Sequence, residues 1–197
     1  MDEAESNRAA MRLAIYVEGG LLAIALVAAW LFATPLRALL TPPSGTPIAL
    51  AIGVAAALPL LLFLAASLRT GWRPIVRVRR RVKRFVRALF GGASIPQVAG
   101  LSILAGVCEE VAFRGVLQPM LAAWTHPYIG LLLASLAFGL GHAVSRAYFW
   151  LATAAGLYFG LLTLLTGEIV SAIAAHAIYD FVALLALRRW PTGSRAA

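Results

Sequence analysis

The chain has 197 residues, 61% of them hydrophobic and only 13% charged, with a mean hydropathy of +0.86 and a formal net charge of +9. Those values exclude an ordinary soluble domain and describe an integral membrane protein. No polar stretch is long enough to build a separate soluble core, so residues 1–197 read as a single domain. The lone Cys108 excludes an intramolecular disulfide, and 16 of the 17 basic residues are Arg, a usage that points to a GC-rich bacterial genome and to the bacterial inner membrane.

The N-terminal MDEAESNRAAMR carries three acids ahead of a long apolar run, unlike the short basic start of a cleaved signal peptide, and reads as the lead-in to a retained anchor. A helix needs about 20 apolar residues to cross the hydrocarbon core. By that measure six spans are expected: Leu13–Phe32, Pro47–Leu68, Ser94–Leu117, Tyr128–Val144, Tyr148–Leu165 and Ile169–Leu187, the fourth and fifth being the shortest. Pro and Gly punctuate the first linker, TPLRALLTPPSGTP, as they do turns outside a membrane.

Between the second and third spans lies WRPIVRVRRRVKRFVRALF, where Ile75, Val78, Val82, Phe85, Val86 and Leu89 recur at helical spacing opposite most of the basic residues. This is the pattern of an interfacial helix, and its nearest partner is anionic phospholipid, not nucleic acid. The excess of positive charge places this loop in the cytoplasm. With six spans the same rule puts Arg8, Arg12, Arg188, Arg189 and Arg195 there too, an N-in, C-in topology that leaves only Arg37 clearly outside. The expected fold class is therefore all-α, a polytopic membrane bundle of about six spans plus one basic interfacial helix. Nothing in the sequence specifies an oligomer.

Charges inside those spans need an explanation. An ionised side chain at mid-bilayer costs about 2.5–3.5 kcal/mol on insertion scales, so Glu109, Glu110, Arg114 and Asp180 must face one another or water. Glu110 and Arg114 stand four apart with the acid first, the favoured order for a pair on one helix face. Glu109 points about 100° away, so the pair neutralises one glutamate and leaves the other available. In the fourth span FGLGH places Phe138 and His142 on one face, with Gly139 and Gly141 allowing close approach of another backbone; in the sixth, HAIYD does the same for His176 and Asp180. Two histidines and three carboxylates from three spans converge only in the bundle interior, as in a hydrolytic or proton-handling site.

The remaining candidates carry blander readings. Cys108 reads as an inert buried thiol, Glu168 and His126 as solvated residues at segment ends, and Gly156 and Gly160 as a GxxxG packing seam.

In order and approximate spacing, EEVAFRG, FGLGH and HAIYD resemble the EExxxR, FxxxH and HxxxN/D motifs of the CAAX protease and bacteriocin-processing (CPBP, or Abi) family of intramembrane endopeptidases. The resemblance spans residues 94–181, the expected catalytic core. It implies that Glu109 with His142 activates water, that His176 and Asp180 stabilise the oxyanion, and that Glu110 and Arg114 hold the base in place. It also implies a membrane-associated or lipid-anchored protein or peptide as substrate. One position departs from the common pattern: many members carry Asn where this chain has Asp180. An aspartate can serve an oxyanion only as the neutral acid, donating through its O–H; its alternative role is a carboxylate that orients His176.

No cofactor is expected to be required, since the motifs lack HExxH, although two histidines and a glutamate also bind zinc in many metallopeptidases. Chains of intramembrane Glu, His and Asp serve proton relays as well, so a proton-coupled carrier is the rival reading, and a non-catalytic peptide-binding immunity protein is the third.

Overall fold

The computed structural model describes residues 3–189. The helices are α1 (Glu3–Leu31), α2 (Leu36–Leu39), α3 (Thr46–Arg69), α4 (Arg73–Phe90), α5 (Ile95–Glu110), α6 (Gln118–Trp124), α7 (Pro127–Gly141), α8 (Arg146–Thr166) and α9 (Val170–Arg189). A seven-residue π-helical stretch, Val111–Leu117, joins α5 to α6 without interruption. No strand occurs among the described residues, and the protein is an all-α membrane bundle. Arg195, assigned above to the cytoplasm, lies outside the described residues, as do Met1 and Asp2.

Four helical stretches are long and apolar enough to cross a membrane, Arg8–Leu31, Thr46–Arg69, Arg146–Thr166 and Val170–Arg189. A fifth candidate arises only if α4 is joined to the rod Ile95–Trp124, across a bend of 114°. Hydropathy predicts six spans, and the difference lies in the third and fourth. The third segment is helical throughout but interrupted by the π turn. The fourth, α7, has 15 residues, which at 1.5 Å each reaches about 22 Å against a core of about 30 Å. One face packs against α8 and α6, while Tyr128, Ile129, Leu132, Leu133 and Leu140 stay exposed on the other.

Small residues set the packing. Ala49, Gly53 and Ala57 on α3 meet Ser171, Ala172 and Ala175 on α9, all buried, so the two backbones approach closely in the manner of membrane helix pairs. The GxxxG of α8 does the same against α7: a methyl group at Gly156 would meet Ser135, and one at Gly160 would meet Leu131 and Gln118. Of the two glycines in FGLGH only Gly139 behaves as expected, a Cβ there colliding with Thr153 and with the Phe149 carbonyl at 2.9 Å. Gly141 faces open space and lines a cavity.

Local signals hold the ends. Ser94 and Gln97 form a reciprocal capping box that starts α5 after the turn from α4. Ser145 caps α8, accepting from Tyr148 N at 3.2 Å. Glu168, expected in solvent, is buried: its carboxylate accepts from the Ser171 amide at 3.0 Å and from the Ser171 hydroxyl at the start of α9. A donor-rich helix start supplies the partners that make this burial tolerable.

The apolar stripe of α4 turns inward. Ile75, Val78, Val82, Phe85 and Val86 line a cavity of about 540 Å³ inside the bundle. Arg79 fastens α4 to the end of α3, its Nη1 donating to the carbonyls of Ser67 at 2.5 Å and Leu68 at 2.8 Å. On the outer faces, Leu13, Tyr16, Ile24 and Trp30 of α1 and Leu58 and Leu62 of α3 stay exposed, the surface a membrane protein presents to lipid.

Candidate active site

The six singled-out residues meet at one place. Glu109 and Glu110 end α5, where the helix widens into the π turn, a distortion common at functional sites. Arg114 lies on that turn, His142 immediately follows α7, and His176 and Asp180 lie on one face of α9.

Glu110 and Arg114 form the inner layer. Arg114 Nη1 donates to Glu110 Oε1 at 2.9 Å, with 1% and 0% of the two side chains exposed. Its Nη2 donates to the Gly156 carbonyl of α8 at 3.0 Å, and its guanidinium lies 4.4 Å from the centre of the Phe138 ring. Charge, hydrogen bonds and ring face together compensate a buried cation. The same Glu110 oxygen lies 2.7 Å from His176 Nδ1, so one carboxylate atom binds two helices.

The second layer faces the cavity. Glu109 Oε2 lies 3.6 Å from His142 Nε2 and 3.8 Å from His176 Nε2. His142 Nδ1 lies 2.9 Å from the Phe138 carbonyl, an atom that only accepts, so Nδ1 carries a proton, and in the neutral ring Nε2 presents a lone pair toward Glu109. His176 Nε2 is 3.5 Å from Asp180 Oδ2. Aromatic rings fix both imidazoles: Phe138 stacks on His142 with centroids 4.4 Å apart, and Phe159 on His176 at 4.9 Å and 10°. Glu109, His142 and Asp180 line the cavity, whereas Glu110, Arg114 and His176 stand behind them.

Sequence reasoning missed three contributors. Glu18, on α1, lines the same cavity; a carboxylate inside an apolar run was the signal, the one that singled out Glu109. Phe159 and the Gly156 carbonyl carried no signal, since an aromatic ring and a glycine are ordinary in a membrane helix. Cys108 is buried and free, as expected of an inert thiol. His126 is exposed at the cap of α7.

Residues 91–182 match the family described as type II CAAX prenyl endopeptidase Rce1-like, a stretch that holds EEVAFRG, FGLGH and HAIYD entire. The chain carries an Rce1-like domain. That domain begins at the turn after α4 and closes just past Asp180, so it contains all six residues of the cluster but neither α1 nor α3. The chain is also similar to the uncharacterized protein YpbD of Bacillus subtilis (strain 168), 33% identical over 96 residues, which are 49% of this chain and 48% of the other. It thus spans about half the length of the curated relative it matches. No solved structure matches the chain at a significant level. Outside the Rce1-like domain, α1, α3 and α4 complete the cavity walls.

Proposed function

We propose that the protein is an intramembrane endopeptidase that hydrolyses a peptide bond in a membrane-associated or lipid-anchored protein. One observation carries this reading: Glu109 Oε2 and His142 Nε2, the acceptor nitrogen of the neutral ring, face each other at 3.6 Å across the edge of an apolar cavity. Two acceptors at that spacing suit a water that donates one O–H to each. Glu109 takes a proton from this water as the oxygen attacks the carbonyl carbon of the scissile bond. The same proton then passes to the leaving amine as the C–N bond breaks, giving one acid and one amine from peptide and water.

His176 is the group to meet the developing oxyanion. Its Nδ1 faces Glu110 and its Nε2 faces Asp180, so a ring protonated at both nitrogens has an acceptor for each, and Nε2–H can turn its charge to the oxyanion. In this role Asp180 is a carboxylate that positions His176, and Glu110 with Arg114 anchors it from behind. Two imidazoles and a carboxylate near one another invite comparison with a zinc site, but the described residues form no group of three or more His, Cys, Asp or Glu arranged to hold a metal ion. The reaction proposed is glutamate-dependent with no cofactor required, and zinc is the alternative that chelation and elemental analysis separate from it.

The cavity supports the substrate class. Its α4 wall, from Ile75 to Phe90, is apolar apart from Arg79, a surface suited to an aliphatic side chain or lipid anchor held beside the catalytic carboxylate. The outer face of α4 suits anionic phospholipid: Arg77, Arg80, Arg81 and Arg84 share a groove of about 500 Å³ with Arg146 at the start of α8. Those arginines fit the cytoplasmic side of a bacterial inner membrane, so the site would open toward the cytoplasm.

The decisive experiment reconstitutes the protein in liposomes with a panel of membrane-anchored peptides and reads products by mass spectrometry. Defined cleavage, lost in Glu109→Gln, is expected. Intact peptides together with dissipation of an imposed pH gradient would replace this reading with the proton-coupled carrier.

A further inference from the structure

Glu18 stands in α1, outside the Rce1-like domain and outside the reaction just described. Its position is specific: Ala14, Val17, Glu18 and Leu21, one face of the helix, all line the cavity that holds Glu109, His142 and Asp180. Glu18 Oε2 is buried and has no hydrogen-bond partner. Glu109, with 9% of its surface exposed, likewise leaves Oε2 without one.

The charges lining this cavity do not balance. Glu18, Glu109 and Asp180 are its carboxylates, and Arg79 is its guanidinium. Arg79 is engaged elsewhere, spread over the carbonyls of Ser67, Leu68 and Thr70 at 2.5, 2.8 and 3.4 Å. Arg114 lies behind the wall, paired with Glu110. Glu109 has the water to activate and Asp180 has His176, which leaves Glu18 Oε2 the cavity carboxylate oxygen with no assigned partner, in a lining mostly of apolar side chains that also holds the hydroxyls of Ser102, Tyr148 and Tyr179. A half-buried carboxylate with one oxygen out of reach of solvent is favoured when something brings it a counter-charge.

We propose that Glu18 is a specificity-determining residue that binds a cationic side chain, lysine or arginine, carried by the substrate near the scissile bond. This rests on the endopeptidase reading, and α1 is its structural vehicle: the helix packs against α5 and the π turn, so the carboxylate is held at a fixed offset from Glu109. An ammonium or guanidinium donates to Oε2 and offsets the surplus negative charge, while the alkyl stem of such a residue lies along the apolar wall of α4.

The test uses the full chain in vesicles of phosphatidylcholine and phosphatidylglycerol, which hold no primary amine to compete. Single-span peptides identical except for Lys, Gln or Glu at each position around the cleaved bond are compared. At one position Lys is expected to exceed Gln by about tenfold or more in kcat/KM, chiefly through KM, the scale of a charge-assisted hydrogen bond. Glu18→Gln collapses that ratio, and Glu18→Arg turns the preference toward Glu. Binding of the same peptides to Glu109→Gln protein, which traps them uncleaved, shows the same preference and its loss in the Glu109→Gln, Glu18→Gln double variant. Thermal unfolding of each variant verifies that it is folded. Peptides bound or cleaved alike whatever their charge, no binding of any of them, or a Lys preference that survives Glu18→Gln overturns the proposal. Failure of the endopeptidase reading looks different: wild-type protein binds the basic peptide selectively and cleaves none.

Discussion

His176 Nδ1 lies 2.7 Å from Glu110 Oε1, and Arg114 reaches the same oxygen at 2.9 Å. One carboxylate atom thus ties α9 to the end of α5 and to the π turn beyond it. His176 is fixed by a buried ion pair that does not line the cavity, which separates the group proposed to meet the oxyanion from the groups that hold it.

Arg114→Ala should therefore lose stability as well as activity. It leaves Glu110 buried with His176 as its only strong partner, and breaking such a pair costs about 3–5 kcal/mol. Thermal unfolding in detergent is expected to show a clearly lowered midpoint. A variant that melts like wild type but is inactive would instead assign Arg114 a direct part in the reaction.

Glu109→Gln and His142→Ala are expected to abolish cleavage with little change in melting, whereas His176→Ala should lose stability as well, since it empties a buried site stacked on Phe159 and takes a partner from Glu110. Glu109 and His142 border a cavity, so their removal leaves no sealed void, and loss of the base alone costs about 10²–10⁴ in rate. Proteoliposome assays against the best peptide substrate measure this. Cleavage at near wild-type rate by Glu109→Gln would reject the assigned base.

Asp180→Asn separates the two roles open to this position. As a carboxylate orienting His176 from 3.5 Å, Asp180 is poorly replaced by an amide, and kcat should fall about 10–100-fold with KM little changed. Were Asp180 instead a neutral donor to the oxyanion, the amide would do the same work and activity would persist. The two kinetic constants of a folded Asp180→Asn protein decide it.

Exhaustive chelation should leave cleavage intact, and elemental analysis of the purified protein should find less than stoichiometric zinc. Activity lost on chelation and restored by zinc, with about one metal per chain, would move the chemistry to a metal-activated water.

The two glycines of FGLGH should respond oppositely to alanine. Gly139→Ala drives a methyl group into Thr153 and the Phe149 carbonyl of α8, an overpacking worth about 1–3 kcal/mol, whereas Gly141→Ala enters open space. Melting temperatures of the two variants compare them directly, and equal values would deny the tight α7–α8 contact at Gly139.

Composition alone determined that this is a membrane protein of helices, because 61% hydrophobic residues leave no other solvent for most of the surface. The sequence also located Glu109, Glu110, Arg114, His142, His176 and Asp180: charge in an apolar run is costly enough to stand out, and helical periodicity predicts which of these residues share a face. Hydropathy could not decide how many segments cross the membrane, since it counts apolar residues and not where a helix ends; α7 is apolar but only 15 residues long. Nor could it orient the stripe of α4, because an apolar face is equally satisfied by lipid and by a cavity wall. Only the tertiary structure turned that stripe inward and brought Glu18 across from Glu109, 91 positions away in the chain. Periodicity is local, and what faces a helix is settled by the helices packed around it.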